Sequence, residues 1–406
     1  KDQAAQAAAD KFLALNSGNL AAYLESCVKC GNCATVCHFY EVTGDPKYTP
    51  INKVEPMRRI WERDYTLSGK VKSMLGLAEP VTEETFKEWE TLVYDGCSLC
   101  GRCSVVCPVG NDISDMIRKQ REGFAAAGYA PEGLVGASKR AVEIGSPMGV
   151  KLPAVMAQIK HLKQDTGLDA PVDVKGADYM VLLSSMEIMN FPEYMEAIAR
   201  IMKQAGKTWT ISSKAYEATN SGIQIGVSDI AAELVQRIVD AAEKLKVKTV
   251  ISPECGHAYM ALRWMGANML GKPLPFKVMH ISEYLSDALD KGKFKVNKVS
   301  KSVTYHDPCQ VSRRGGATGA ARNVLKHLGV DFREMEFGGD YNWCCGGGGV
   351  VTIKRADPLR RRVFKLKMDQ VEKTEADELL SSCANCRQSF DDSQEYFNWD
   401  YKMGRL

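Results

Sequence analysis

No stretch of eighteen or more apolar residues occurs in these 406 residues, so the sequence predicts no membrane-crossing helix. Charge of one sign is also lacking: 53 Lys and Arg face 50 Asp and Glu, and a net charge of +3 gives no reason to expect a nucleic-acid partner. No flavin motif is evident. No signal peptide is evident either, and Lys1 in place of Met is expected to mark a trimmed start. A secreted disulfide framework belongs to shorter, loop-rich chains; clustered Cys-x-x-Cys runs in a chain of this length read as metal sites in a reducing compartment, so the cytoplasm is expected. The length suggests two or three domains.

What the chain does have is patterned cysteine. Of fourteen, eight fall in two runs near the N-terminus, five lie between Cys309 and Cys386, and Cys255 stands alone. Cys309 is followed by Asn342-Trp343-Cys344-Cys345-Gly346-Gly347-Gly348-Gly349 and then by Cys383-Ala384-Asn385-Cys386, each group placed where a strand-like run gives way to a loop or helix. Adjacent side chains point apart in extended backbone, so Cys344 and Cys345 can share a target only if it is larger than one ion. The glycines allow positive φ and a close approach of the backbone to that object. Tetrahedral zinc takes four ligands and leaves a fifth thiolate idle, whereas a polynuclear iron–sulfur cluster can use all five. The competing account is a glycine-rich turn with incidental cysteines, since free Cys is readily buried.

The N-terminal runs are Cys27-Val28-Lys29-Cys30-Gly31-Asn32-Cys33-Ala34-Thr35-Val36-Cys37 and Cys97-Ser98-Leu99-Cys100-Gly101-Arg102-Cys103-Ser104-Val105-Val106-Cys107-Pro108. Both follow the bacterial ferredoxin spacing, C-x2-C-x2-C-x3-C. In that arrangement three cysteines wrap one cubane and the fourth turns to the other. Cys27, Cys30, Cys33 and Cys107 are thus expected to hold one [4Fe-4S] cluster, and Cys37, Cys97, Cys100 and Cys103 the second. His38 stands where the first run would normally carry proline, and reads as a hydrogen-bonding neighbour rather than an iron ligand. Two zinc knuckles compete poorly, because each run holds a fourth cysteine too close for paired-hook geometry. The long spacer, with Trp61, Phe86 and Trp89 among helix-like runs, predicts a helical ferredoxin-type domain.

The C-terminal pattern, Cys, then Cys-Cys-Gly, then Cys-x-x-Cys, resembles the CCG domain of heterodisulfide reductase subunits and their relatives. That resemblance implies that the five cysteines hold a non-cubane [4Fe-4S] cluster at which disulfides are cleaved. The N-terminal part is similar to the electron-input module of succinate dehydrogenase and heterodisulfide reductase relatives. Cys37-His38-Phe39-Tyr40 with Thr43-Gly44-Asp45-Pro46 narrows the likeness to the DsrK, HmcF and TmcB group of sulfate-reducer membrane complexes.

The organisation expected is α + α/β: a helical double [4Fe-4S] domain over 1–125, a helical linker over 126–176, a degenerate CCG-like repeat over 177–298 and a complete CCG repeat over 299–406. From Ala177 strands and helices alternate, as in layered, mostly parallel sheets. Met202-Lys203-Gln204-Ala205-Gly206 aligns with Leu325-Lys326-His327-Leu328-Gly329, a register that sets Cys309 against Met186, Cys344-Cys345 against Ser221-Gly222, and Ser252–Cys255 against Cys383–Cys386. The first copy keeps one potential ligand of five, so it is not expected to hold the same cluster. By pseudo-symmetry Cys255, or His257 beside it, faces the reaction region and is a candidate contact for a thiol substrate or a partner's cysteine; a buried residual cysteine is the alternative. His306, Asp307, Arg313 and Arg314 flank Cys309 and are candidate proton or cation sources for released thiolates. Arg360-Arg361-Arg362 with Lys365 and Lys367 reads as a solvated basic helix face.

The function expected is an iron–sulfur subunit that passes single electrons through two cubanes to a non-cubane centre, where a disulfide or trisulfide is reduced or formed. The resemblance also implies partners: a membrane cytochrome b or other quinone-reactive subunit, further complex subunits, and a small sulfur-carrier protein or thiol as substrate. It would link the menaquinone pool to sulfur metabolism, peripheral on the inner face of the cytoplasmic membrane. The alternative is an electron-transfer-only subunit of a quinone-linked glycerol-3-phosphate or glycolate dehydrogenase. A zinc scaffold would give a colourless protein rather than a brown one.

Overall fold

The computed structural model describes residues 3–15, 17–78 and 81–406, and clusters into two compact units. The first takes Lys1–Val135, Gln224–Val227 and Gly346–Leu366; the second takes Gly136–Ile223, Ser228–Cys345 and Lys367–Leu406.

The first unit is helical. In the helix Gln3–Ala14, Ala5, Ala8, Ala9 and Phe12 recur at helical spacing and are buried. This stripe lies on the helix Ile113–Ala126, whose Gly123 is required by the contact: a Cβ there would stand 1.8 Å from the Phe12 ring. Phe12, Phe86, Phe124 and Tyr129 form one aromatic core, with Phe86 and Phe124 edge to face at 5.2 Å and Phe86 stacked on Tyr129 at 5.9 Å. The two distant segments join it through apolar and ionic contacts. Ile225, Val350, Ile353 and Ala356 enter the same core, and Arg355 bonds Asp95 at 2.8 Å and Glu90 at 2.6 Å.

The second unit contains two parallel four-stranded sheets. The strands are β1 (Tyr179–Val181), β2 (Trp209–Thr210), β3 (Thr249–Ser252), β4 (Lys277–His280), β5 (Ser302–His306), β6 (Asp331–Phe332), β7 (Glu378–Ser381) and β8 (Met403–Arg405). Their orders are β2-β1-β3-β4 and β6-β5-β7-β8. The two sheets therefore repeat one topology, and the mixed helical and parallel α/β architecture expected from the sequence is what the chain adopts. Short runs rich in Val, Ile, Leu and Met are buried on both faces, as parallel strands covered by helices require.

This topology positions the chemistry. In such an order the chain leaves β5 and β7 in opposite directions, opening a crevice beyond their carboxyl ends. His306 pairs with Ser381 at the end of the β5–β7 ladder, so Cys309 and Cys383 both emerge at that crevice.

Strand pairing also corrects the internal alignment. Met180 pairs with Val250 as Thr304 pairs with Leu379, which by residue count makes Ser185, not Met186, the counterpart of Cys309. Three residues separate β3 from its following helix and two separate β7 from its own. That extra residue puts Cys255 at the N-cap of the helix Gly256–Met260, the place Cys383 holds in the helix Ala384–Phe397, so it corresponds to Cys383 rather than Cys386.

Candidate metal centres

In the first unit the two ferredoxin-like runs fold as matching loops. Lys29 and Leu99 take positive φ (54° and 53°), and so do Gly31 and Gly101 (82° and 77°), bending each loop the same way around its thiols. Leu99 N–H donates to Cys97 Sγ at 3.4 Å. Cys27, Cys30, Cys33 and Cys107 line one open pocket. Cys37, Cys97, Cys100 and Cys103 line another. Each fourth cysteine thus lines a pocket with three from the other run.

Burial pushes the Cys33 thiol up to about 11 and raises Cys97 and Cys103 as well. Thiols in so dry a place need a cation before they give up protons. Two buried cations stand beside the Cys37 cavity. The Lys53 ammonium lies 3.6 Å from Cys37 Sγ and donates to the Gly96 carbonyl at 2.6 Å. Arg121 donates to the Cys97 carbonyl at 2.5 Å. His38 lines the same cavity, its ring 4.4 Å from that of Phe39.

In the second unit all five C-terminal cysteines are buried and converge. Cys309 Sγ lies 4.0 Å from Cys344 Sγ, Cys345 Sγ lies 3.3 Å from Cys386 Sγ, and Cys383 is hydrogen bonded to Cys386. Among the described residues none of the fourteen cysteines is in a disulfide. The Cys386 contact, with backbone N–H groups of Gly256, Asn385 and Cys386, holds the Cys383 thiol down at about 7. A ring nitrogen of His306 is grouped with the Cys345 and Cys386 sulfurs, all within 4.8 Å of one another. Burial keeps that imidazole neutral, well below the usual histidine range.

The loops carrying these thiols are clamped. Asp307, bonded through both carboxylate oxygens to Arg322, accepts from Gly339 N–H at 2.7 Å, while its own carbonyl accepts from the Asn342 amide at 2.6 Å. Arg313 donates to the carbonyls of Asp340 and Asn342, so it fixes the segment that leads into Cys344. Lys367 is fully buried and donates to Asn342 Oδ1 at 2.8 Å and Gln370 Oε1 at 2.7 Å. Arg360 is buried too, which corrects the expectation of a wholly solvated basic face. Lys367 adds a buried donor to this clamp, and the two side-chain oxygens offset the cost of burying its ammonium.

The other half meets this site at Cys255. Gly256 N–H bonds Cys383, and a Cβ on Gly256 would lie 2.7 Å from Gln310 Cβ, so glycine permits the approach. Gln310 in turn directs its amide to Cys309 Sγ at 3.8 Å. Cys255 and His257 are both buried. Where ligands would stand in the first half, Ser185 N–H donates to Glu217 at 3.2 Å, and Glu187 accepts from Ser184 N–H at 2.5 Å and Glu254 N–H at 2.7 Å. Burial raises Glu187 and Glu217 to about 7 and Glu254 to about 8. This half has filled its crevice with hydrogen-bonded carboxyl groups.

Such donor sets suit iron–sulfur clusters: free thiols, grouped in fours around two N-terminal pockets and in a buried five at the C-terminal crevice. The comparisons agree. A model of the 4Fe-4S dicluster domain matches residues 23–111, and one of the cysteine-rich CCG domain matches residues 303–391. Across 97% of this chain and 96% of its own length, the D subunit of the dihydromethanophenazine:CoB–CoM heterodisulfide reductase of Methanosarcina acetivorans is 29% identical. The chain is thus similar to the heterodisulfide reductase D subunits over nearly its whole length. A second such relative, the Hdr-like menaquinol oxidoreductase iron-sulfur subunit 2 of Archaeoglobus fulgidus, is 27% identical over 94% of this chain and 78% of its own. The EtfAB:quinone oxidoreductase of Syntrophomonas wolfei is 25% identical over 89% of this chain and 54% of its own.

The two domain matches indicate iron–sulfur clusters in this chain, and none of its described helices is long and apolar enough to cross a membrane. Sequence reasoning missed Lys53, Arg121, Lys367 and the buried glutamates, because a charged residue in a helix-like run reads as surface until its neighbours are known. Gln310 could have been found, standing directly after Cys309.

Proposed function

We propose that this chain is the iron–sulfur subunit of a membrane-linked, quinone-coupled redox complex and that it reduces, or forms, a disulfide or trisulfide at the five-cysteine centre. Cys27, Cys30, Cys33 and Cys107 would hold one cubane [4Fe-4S] cluster, Cys37, Cys97, Cys100 and Cys103 a second, and Cys309, Cys344, Cys345, Cys383 and Cys386 a non-cubane third. When bound, the third supplies single electrons at iron able to take a sulfur ligand. The observation that carries the reading is the convergence of five buried thiols, outside any disulfide, at the crevice beyond β5 and β7.

The protein's own residues do the rest. Reducing one S–S bond consumes two electrons and two protons and leaves two thiols. Burial of all five cysteines keeps bulk water from the reacting sulfur. Lys367 and Arg313, bound to the segment that leads into Cys344, would lend positive charge to accumulating thiolate. Gln310 and Gly256 N–H orient Cys309 and Cys383. Cys255 and His257, on the facing helix terminus, are the side chains offered to a thiol substrate. The degenerate half supports a single such centre, since carboxyl groups and Ser185 occupy the counterpart positions.

The names of two relatives, a menaquinol and a quinone oxidoreductase, favour a quinone-linked complex; a membrane cytochrome b or similar subunit as electron source and the cytoplasmic face as location complete the proposal. A DsrK-like place in sulfur metabolism, with a small sulfur-carrier protein as substrate, is the specific form of this reading. Low-temperature EPR of the oxidised holoprotein, titrated with small thiols, tests it. A new paramagnetic signal with a substrate thiol is expected. Its absence with every thiol, in a protein holding all three clusters, would leave only electron relay.

A further inference from the structure

Among the buried side chains at the five-cysteine centre, His306 stands apart. It is fully buried, and among the described residues neither of its ring nitrogens has a hydrogen-bond partner. A buried imidazole without a partner is rare, because each nitrogen gives up a hydrogen bond to water on folding. The position is not slack. His306 closes the β5–β7 ladder opposite Ser381, and its ring packs edge to face on Phe390 with centroids 5.0 Å apart. The backbone and the aromatic contact therefore hold the imidazole against the thiols of Cys345 and Cys386, which are themselves 3.3 Å apart.

We infer that His306 is a sixth protein ligand of the five-cysteine centre, one ring nitrogen binding an iron held by Cys345 and Cys386; this rests on the reading above that a cluster is bound there. Metal–sulfur bonds of about 2.3 Å and metal–nitrogen bonds of about 2.0 Å set ligand atoms of one tetrahedral ion roughly 3.5–4 Å apart. The three donor atoms here fall within 4.8 Å of one another, so small side-chain adjustments complete the set. Ligation also answers the missing hydrogen bond, since it gives one nitrogen the partner that folding removed. Arg313 and Lys367, whose charges act on the ring, are already bound to carbonyl and amide oxygens. They leave the imidazole as the only neutral nitrogen donor grouped with these thiols among the described residues. Being neutral, this added donor brings no further negative charge to that iron.

The test is hyperfine spectroscopy of holoprotein labelled with 15N-histidine, poised at potentials where the C-terminal centre is paramagnetic. A strong 15N coupling, of the size direct coordination gives, is expected. It should vanish in His306→Ala with iron content unchanged, return on addition of 15N-labelled imidazole, and persist in His38→Ala. A weak coupling or none would overturn the inference while leaving the cluster assignment intact. If Cys345→Ser and Cys386→Ser lose no iron relative to wild type, the cluster assignment itself fails and this inference with it. Should the alanine variant not fold, the labelled wild type alone still decides. Should no potential give a paramagnetic state, an anaerobic crystal structure of the holoprotein decides from the distance between the His306 ring and iron.

Discussion

Replacing Lys53 by methionine should lower the reduction potential of the cluster beside Cys37. The ammonium is 1% exposed, 3.6 Å from Cys37 Sγ and 5.3 Å from the centre of the Phe39 ring, so little water screens it. Reduction adds one negative charge, and a nearby positive charge stabilises the reduced form. With the electron spread over the cluster core on the order of 6 Å away and an effective dielectric constant of about 20, the interaction is about 3 kcal/mol. A tenfold change in a one-electron equilibrium is about 59 mV or 1.4 kcal/mol, so the expected drop is about 120 mV. The Gly96 carbonyl also loses its donor, which costs roughly 1–3 kcal/mol of stability and must be checked separately by unfolding. The assay is EPR-monitored redox titration of wild type, Lys53→Met and Lys53→Arg, the last keeping the charge. A drop confined to Lys53→Met and to one of the two cubane signals is expected. A shift under about 20 mV in a folded, fully loaded Lys53→Met would refute the electrostatic argument.

Two further outcomes follow from the same geometry. Cys255→Ser should leave iron content unchanged whereas Cys345→Ser should lose one cluster's worth and keep both cubane signals; iron loss from Cys255→Ser would show that the lone cysteine is a ligand. Glu254, raised from 4.5 to about 8 by burial, faces Arg387 at 3.9 Å together with Glu187 and Tyr194. Between those values the folded chain holds a proton that the unfolded chain has released, so this group makes unfolding easier as pH rises, by at most about 1.4 kcal/mol per pH unit. Its contribution is whole below 4.5 and gone above about 8. Anaerobic urea midpoints should therefore fall between pH 5 and pH 8 less steeply in Glu254→Gln than in wild type, and parallel curves would contradict the burial argument.

Spacing alone determined much of this protein. Three-residue intervals oblige Cys27, Cys30 and Cys33, and likewise Cys97, Cys100 and Cys103, to curl around one object, because so short a backbone has few other ways to gather three sulfurs. The alternation of strand and helix after Ala177 likewise reports a local period, which needs no knowledge of distant residues. What the tertiary structure decided is everything set by long-range contact. It placed Lys53, Arg121 and Lys367 inside rather than on the surface, since only the packed neighbours reveal which long side chain is dry. It put Cys255 in the place of Cys383, because one inserted residue between β3 and its helix outweighs the alignment of the flanking sequence. And it turned His306 from a residue near Cys309 in the chain into a neighbour of Cys345 and Cys386, through a β5–β7 register that joins segments 75 residues apart.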